Sequence, residues 1–207
     1  AGGGAGGAIY LTSGTFDGAG LLSGIGGNGC NGGSLCGGGG GGGRISLNYT
    51  TLVTPCAAQF NALPGTNYFN TYVPAPGDRR TAWAGTLFFT DDTILSTNPA
   101  GLFGFLGFPA LTSWAPASLT VSNAFLGLPD SFQLGVGSNL LVSGSNSVLV
   151  IGTNSQVTCA GALMVTNGGQ VRVYSGPTND VVGSYDTLVT VSGQAAIASN
   201  SWLYAYG

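Results

Sequence analysis

The C-terminal half of the chain repeats itself, and that repeat limits the possible folds more than any other feature. "SLTVSNA" begins at Ser118, "NLLVSGS" at Asn139, "ALMVTNG" at Ala162 and "TLVTVSG" at Thr187. Each is a short alternation of apolar and polar residues ending in turn formers, the pattern of a half-buried strand. A second strand follows in each unit, as "FQLGVGS", "VLVIGTN", "QVRVYSG" and "AAIASNS". A third follows in the later units, as "QVTCAGA", "DVVGSYD" and "SWLYAYG". The units start 21, 23 and 25 residues apart. Similar short strands at that interval signal a solenoid, whose coils bury their apolar faces only by stacking. The alternation turns Leu140, Val142, Val148, Val150, Val157 and Cys159 inward in one coil, and Leu163, Val165, Val171, Val173 and Val181 in the next. The predicted fold is an all-β, right-handed parallel β-helix, with the hand taken from the rule for parallel connections. A β-sandwich also has many short strands between close turns; the likeness between consecutive units favours the solenoid.

The N-terminal half poses a different problem. "CGGGGGGGR", Cys36 to Arg44, holds seven consecutive glycines, the composition of a flexible linker. It lies, however, between "AIYLTSG" and "RISLNYT", which both alternate and both end in Ser or Thr. That position predicts an ordered loop without side chains, packed against other protein so that its amides find partners. The chain therefore reads as one domain over 1–207: glycine-rich coils over 1–53, an insertion-bearing region over 54–117 and regular coils over 118–207. In the insertion, Thr54 and Pro55 suit the start of a short helix. Cys56, Phe60 and Leu63 would share one face of it, and Pro64 would end it. "GLFGFLGFPALTSW", Gly101 to Trp114, reads as a second insertion, too short to span a bilayer: a cover on the barrel, an exposed patch that binds another subunit, or a membrane contact.

Composition excludes several functions. Only 5% of residues are charged, and there is no Lys, Glu or His. A Ser-His-Asp triad, a His-based zinc site and lysine Schiff-base chemistry cannot be built. Four Arg in a chain of net charge −3 do not form the basic patch that nucleic acid requires. No apolar stretch reaches the length of a membrane helix, and "AGGGAGG" at the start is not a signal peptide. "GIGGNG", Gly24 to Gly29, matches a dinucleotide-binding pattern only through the glycine content, since no acidic residue follows at the required distance.

What chemistry remains is carboxylate-based. Asp91 and Asp92 with an Arg would serve a polysaccharide-cleaving site, or with further oxygens a calcium site. Asp78, Arg79 and Arg80 form the one charge cluster. Surface-loop charges account for these residues equally well, so no catalytic residue, metal site or cofactor is assigned. Asn48 heads a glycosylation sequon, "NYT". The four cysteines admit three connectivities and suit disulfides in an oxidising compartment. The expected pairs are Cys30 with Cys36, closing a short loop, and Cys56 with Cys159.

"GGGAGGAIYL", "GIGGNG", "GGGGGGGRISLNY", "AGTLFFTDD" and the "LTVSNA" and "LLVSGS" coils resemble the glycine-rich repeat regions of large secreted β-helix proteins of environmental bacteria. Autotransporter-like passenger domains are the broader kin. The resemblance implies an exported β-helix with a structural or surface role and carries over no catalytic residue. The chain begins in a glycine-rich coil and ends in "SWLYAYG", with no amphipathic cap at either end. Open β edges are templates for pairing, so the expected function is an extracellular structural protein, not an enzyme, that stacks head to tail into a filament. The expected contacts are Ile9, Tyr10 and Leu11 at one end, Trp202, Tyr204 and Tyr206 at the other, and Leu102, Phe103, Phe105 and Phe108. The alternatives are an adhesin or passenger module binding carbohydrate or a surface partner, and a polysaccharide-degrading enzyme.

Overall fold

The structure, a computed structural model, describes residues 2–30, 37–66, 82–96, 98–175 and 187–206. The chain divides into two compact units, one of residues 1–90 with 101–107 and one of 91–100 with 108–207. Every strand pairing in both is parallel.

The second unit carries twelve strands: β7 (Ser113–Trp114), β8 (Leu119–Ser122), β9 (Phe125–Gly127), β10 (Gln133–Val136), β11 (Leu140–Ser143), β12 (Val148–Ile151), β13 (Gln156–Cys159), β14 (Leu163–Thr166), β15 (Gln170–Tyr174), β16 (Leu188–Val191), β17 (Ala195–Ile197) and β18 (Trp202–Tyr206). Each strand from β7 to β15 pairs with the one three places on. β7, β10, β13 and β16 make one sheet, and β8, β11, β14 and β17 a second. β9, β12, β15 and β18 make a third face. Three strands complete one coil, which is the stacked parallel arrangement of a solenoid.

Like side chains stack in register. Leu119, Leu140 and Leu163 form one inner column, and Val121, Val142 and Val165 another; all six are 0–4% exposed. Buried serines tie successive coils at their corners. The Ser147 hydroxyl donates to the Ser143 carbonyl (2.6 Å) and accepts the Asn123 N–H (2.9 Å) of the preceding coil. Ser155 likewise accepts the Phe132 N–H and donates to the Pro129 carbonyl. Asn123 and Asn167 turn these corners with φ of 45° and 54°, a left-handed conformation that Asn tolerates.

Three sequence expectations change here. "FQLGV" is not the second strand of its coil; Phe125–Gly127 is, and its glycine and three residues hid it. "TLVTVSG" does not stack on "ALMVTNG". Its strand β16 pairs with β13, and β17 pairs with β14, because residues 176–186 intervene between β15 and β16. Those residues, which include Val181 and all of "DVVGSYD", lie outside the described ones. Finally, Val148 and Val150 do not share a face with Val171 and Val173. Register sets Leu149 opposite Val171 and Val150 opposite Arg172, so Leu149 and Ile151 are the inward residues of β12. Val148 and Val150 are equally buried, on the other face.

The first unit comprises β1 (Ala8–Phe16), β2 (Leu21–Ser23), β3 (Arg44–Leu52), β4 (Gln59–Asn61), β5 (Thr86–Phe89) and β6 (Leu102–Gly107). β1, β3, β5 and β6 pair in that order, and β2, β4 and β6 form a second run. The expected helix after Thr54 is absent. Gln59 N–H donates to Gly20 and Phe60 N–H to Gly101, so this segment is held as a strand between two others. Phe60 is fully buried against Phe16 and Phe89, edge-on to Phe89 at 5.1 Å. "GLFGFLG" is likewise a wall strand, β6, and not an insertion; Leu102 and Leu106 are core. The one helical turn among the described residues is a 3-10 turn, Asp92–Ile94.

The glycine run is the centre of a backbone lattice. Residues 37–43 lie among residues 2–7, 24–29, 62–66 and 83–85, with hydrogen bonds recurring every third residue. Gly3 and Gly6 donate to the carbonyls of Gly38 and Gly41; Gly40 and Gly43 donate to those of Gly27 and Gly24. A three-residue period without internal hydrogen bonds is that of a polyproline II type helix, so each amide must pair with a neighbouring segment. None of these glycines has a positive φ, so what glycine supplies is space. A Cβ on Gly40 would overlap the Gly4 carbonyl, one on Gly42 the Ala62 carbonyl and one on Gly43 the Gly7 carbonyl. Gly39 meets Gly65. The edge segment differs: Gly3 and Gly6 are closed in, whereas a Cβ on Gly4 or Gly7 meets nothing within 4 Å.

Gly40→Ala and Gly42→Ala should therefore each cost about 1–3 kcal/mol or more. Gly4→Ala and Gly7→Ala should be neutral or stabilising by about 0.4–1 kcal/mol. Urea unfolding of the four variants checks this; equal effects at inner and edge positions would contradict the lattice.

Candidate assembly surfaces

The residues expected to make subunit contacts fall into three environments. Ile9, Tyr10 and Leu11 lie on β1, which among the described strands pairs with β3 alone. Ile9 and Leu11 face the core opposite Ile45 and Leu47, and Tyr10 is 75% exposed on the other side. The segment from Leu102 to Phe108 is not an exposed patch. Leu102 is 3% exposed, Phe103, Phe105 and Phe108 are half-buried, and Phe105 packs on Trp83 at 6.3 Å. Alternation in β6 turns its apolar residues to the two faces of a sheet strand, which a glycine-broken apolar run did not reveal.

Trp202, Tyr204 and Tyr206 do come together. They are alternate residues of β18 and so share one face. Opposite them on β15 stand Gln170, Arg172 and Tyr174 in the same order. The rings of Tyr204 and Tyr206 stack at 5.9 Å and 21°, and Tyr174 lies 4.8 Å from Tyr206. Arg172 is only 4% exposed. One of its terminal nitrogens donates to the Gln170 side-chain oxygen at 2.8 Å. Burial lowers the Arg172 pKa, against the opposing influence of Tyr206, Tyr174 and Tyr204. Burial raises the Tyr206 phenol above its ordinary 10.0, with Arg172 pulling the other way.

The opposite face of β18, with β17, carries a feature not visible in the sequence reading. Ile197 continues the buried Val121, Val142 and Val165 column, yet it is 49% exposed. Leu203 continues the column of Leu126, Leu149 and Val171 and is 46% exposed. Among the described strands β16, β17 and β18 each pair on one side only. The inner residues of this coil, Ile197 and Leu203, are about half exposed beside those three edges. The sequence does carry the signal, since Leu203 alternates with Trp202 and Tyr204 and so lies on the opposite face of the strand from those aromatics.

Among the described residues the chemistry-bearing candidates form no cluster. The Asp91 carboxylate accepts the Thr93 N–H at 2.9 Å and caps the 3-10 turn, and Asp92 is exposed. Asp78, Arg79 and Arg80 lie outside the described residues. Among the described residues no group of three metal-ligating side chains occurs, and no helix is long and apolar enough to cross a membrane. Asn48 is half-buried on β3.

The cysteine expectation needs correction. Cys56 and Cys159 are free thiols. Cys159 points into its own coil, with its sulfur 3.1 Å from the Ser138 carbonyl and 3.4 Å from that of Ala162; Cys56 is half-buried in the other unit. Cys30 is disulfide-bonded, and its expected partner Cys36 lies outside the described residues.

Comparison with protein-family models, with curated proteins and with solved structures finds no match.

Two outcomes follow from this geometry. Alkylation of the native, unreduced protein should label Cys56 quickly and Cys159 only on unfolding, with mass spectrometry reading both; a peptide bridging the two would refute the free-thiol assignment. A phenol whose pKa is higher folded than unfolded favours the native state below the unfolded value, and that contribution is lost as pH rises through the folded one. Melting temperature should therefore fall above pH 10, and Tyr206→Phe should flatten the fall.

Proposed function

We propose that this is an extracellular structural protein that self-assembles by stacking coil on coil into a filament or surface fibre. The observation that carries the reading is the uncovered coil of β16, β17 and β18. Its inner residues Ile197 and Leu203 are about half exposed, where the same columns one coil earlier are 0% and 1% exposed at Val165 and Val171. Burying such apolar area contributes about 25 cal/mol per Å², and open parallel edges have unmet backbone groups that only another strand satisfies. A parallel coil meets both needs, and in this reading a second copy supplies it through its β1 and β2 edge. β1 has a free side and two core-facing residues, Ile9 and Leu11, of which Leu11 is 36% exposed. Head-to-tail contact between unlike surfaces does not close and so propagates.

Export is supported by the disulfide at Cys30, for which Cys36 is the proposed partner. It is supported as well by the resemblance to glycine-rich repeats of secreted bacterial β-helix proteins. The hand of the coils is proposed to be right, by the rule for parallel connections. The near absence of charge on the chain removes the repulsion that keeps monomers apart.

Light scattering after size exclusion, with electron microscopy of the same fractions, tests the assembly. The native protein should form elongated species that grow with concentration. Ile197→Asp and Leu203→Asp should give monomers of native circular dichroism. A native chain that stays monomeric at high concentration would refute the reading.

A further inference from the structure

We propose that the outer face of β15 and β18 is a binding platform for an uncharged, extended polysaccharide. The platform is a two-by-three grid in register: Gln170 beside Trp202, Arg172 beside Tyr204, Tyr174 beside Tyr206. Alternate residues of a strand lie about 6.8 Å apart, so the three rings of β18 span about 14 Å, enough for several sugars in a row and too long for one. The rings are mutually braced, Tyr206 touching both Tyr174 and Tyr204, and Arg172 is fixed by Gln170. Little rotamer entropy remains to be lost on binding.

The chemistry selects the ligand class. Aromatic faces receive the C–H face of a pyranose ring, and the Tyr204 phenol and the Gln170 amide stand beside them to exchange hydrogen bonds with its hydroxyls; the Tyr206 hydroxyl is itself buried, so Tyr206 offers its ring alone. The one formal charge in the grid, Arg172, is 4% exposed, so the surface presents no accessible charge to steer an acidic polymer or nucleic acid. Width decides against a protein partner. Two strands spaced about 4.8 Å apart offer far less than the roughly 800 Å² per partner of a stable protein interface, whereas a single glycan chain needs no more. Trp202 is 40% exposed, so the ring that would carry most of the contact is accessible. The inference does not depend on assembly: stacking uses the edge and inner face of β18, and the ring row is on its outer face.

The test is affinity electrophoresis of the full chain in gels containing hydroxyethylcellulose, with titration of chitohexaose followed by tryptophan fluorescence. Polygalacturonate serves as the acidic comparison. Retention by a neutral polymer is expected, weakened about tenfold or more by Trp202→Ala and less by Trp202→Phe, which keeps a ring. Tyr204→Phe, which keeps the ring and removes only its phenol, should weaken it severalfold while melting close to the native temperature, and so reports on the site even if Trp202→Ala unfolds. No retention by either neutral glycan overturns the proposal, as does undiminished retention of both Trp202→Ala and Tyr204→Phe. Salt-sensitive retention by polygalacturonate alone overturns it too. Light scattering on the same samples separates the outcomes: a monomer that binds glycan keeps this inference and ends the assembly reading, and a filament that does not bind does the reverse.

Discussion

Hydrogen bonding between successive passes of the backbone is the constraint on which the whole chain depends. Neither a β-strand nor a three-residue-period glycine segment can satisfy its own amides, and both must lie beside another pass of chain. The two units meet this demand with different chemistry. In the second, side chains make the stacking worthwhile: columns of leucine and valine bury one another coil after coil, and the backbone ladders run between them. In the first, around the glycine run, there are no side chains to bury. Close approach of backbones alone provides the contacts, and each segment is held by bonds from several neighbours. A net contribution of about 0.5–1.5 kcal/mol per hydrogen bond is small beside the cost of ordering glycine. The lattice therefore depends on the apolar strands that begin at Arg44 and Thr86 and anchor its ends.

The polar groups inside the solenoid follow the same logic. A coil corner exposes amides that cannot join a ladder, and burying them unpaired would cost several times what a typical hydrogen bond contributes. Ser147 and Ser155 answer with a hydroxyl that accepts from the coil before. This is why fully buried serines sit within an otherwise apolar interior. Arg172 is the other buried polar group of note. It is tolerated on the outer face because Gln170 and the surrounding phenols replace water around it.

Much of the second unit was legible. The motifs at Ser118, Asn139 and Ala162 do stack as their likeness suggests, since in-register stacking of identical side chains leaves a trace that period-two alternation alone does not. What failed did so for identifiable reasons. Phe125–Gly127 is too short and too glycine-bounded to read as a strand. Residues 176–186 break the interval, so matching by spacing shifted the following coil by one strand. β12 is apolar on both faces, and alternation cannot choose between them. In the first unit, Thr54-Pro55 and the spacing of Cys56, Phe60 and Leu63 fit a helix locally, but pairing of Gln59–Asn61 with two other strands overrode that preference. The ordered state of the glycine run was expected from its flanks. Its role as the central segment could not be, because glycines carry no pattern to show which neighbours they face. That Trp202, Tyr204 and Tyr206 alternate along one strand was legible, and the uncovered Ile197 and Leu203 were not, since burial in a column is known only once the columns are assigned.

The lattice has a further property that follows from its period. Where every third residue makes the same bond and no side chain distinguishes one position from the next, a shift of the glycine run by three residues would rebuild the same contacts. The register is fixed from outside, by Ile45 and Leu47 entering the core just after the run. The seven glycines thus have something like a reading frame. Adding or removing three keeps every inner position facing the neighbour it faced before, while a change of one or two rotates the whole segment and turns its bonds away from their partners. In evolution, such a run could lengthen or shorten by triplets of residues without loss of its structure.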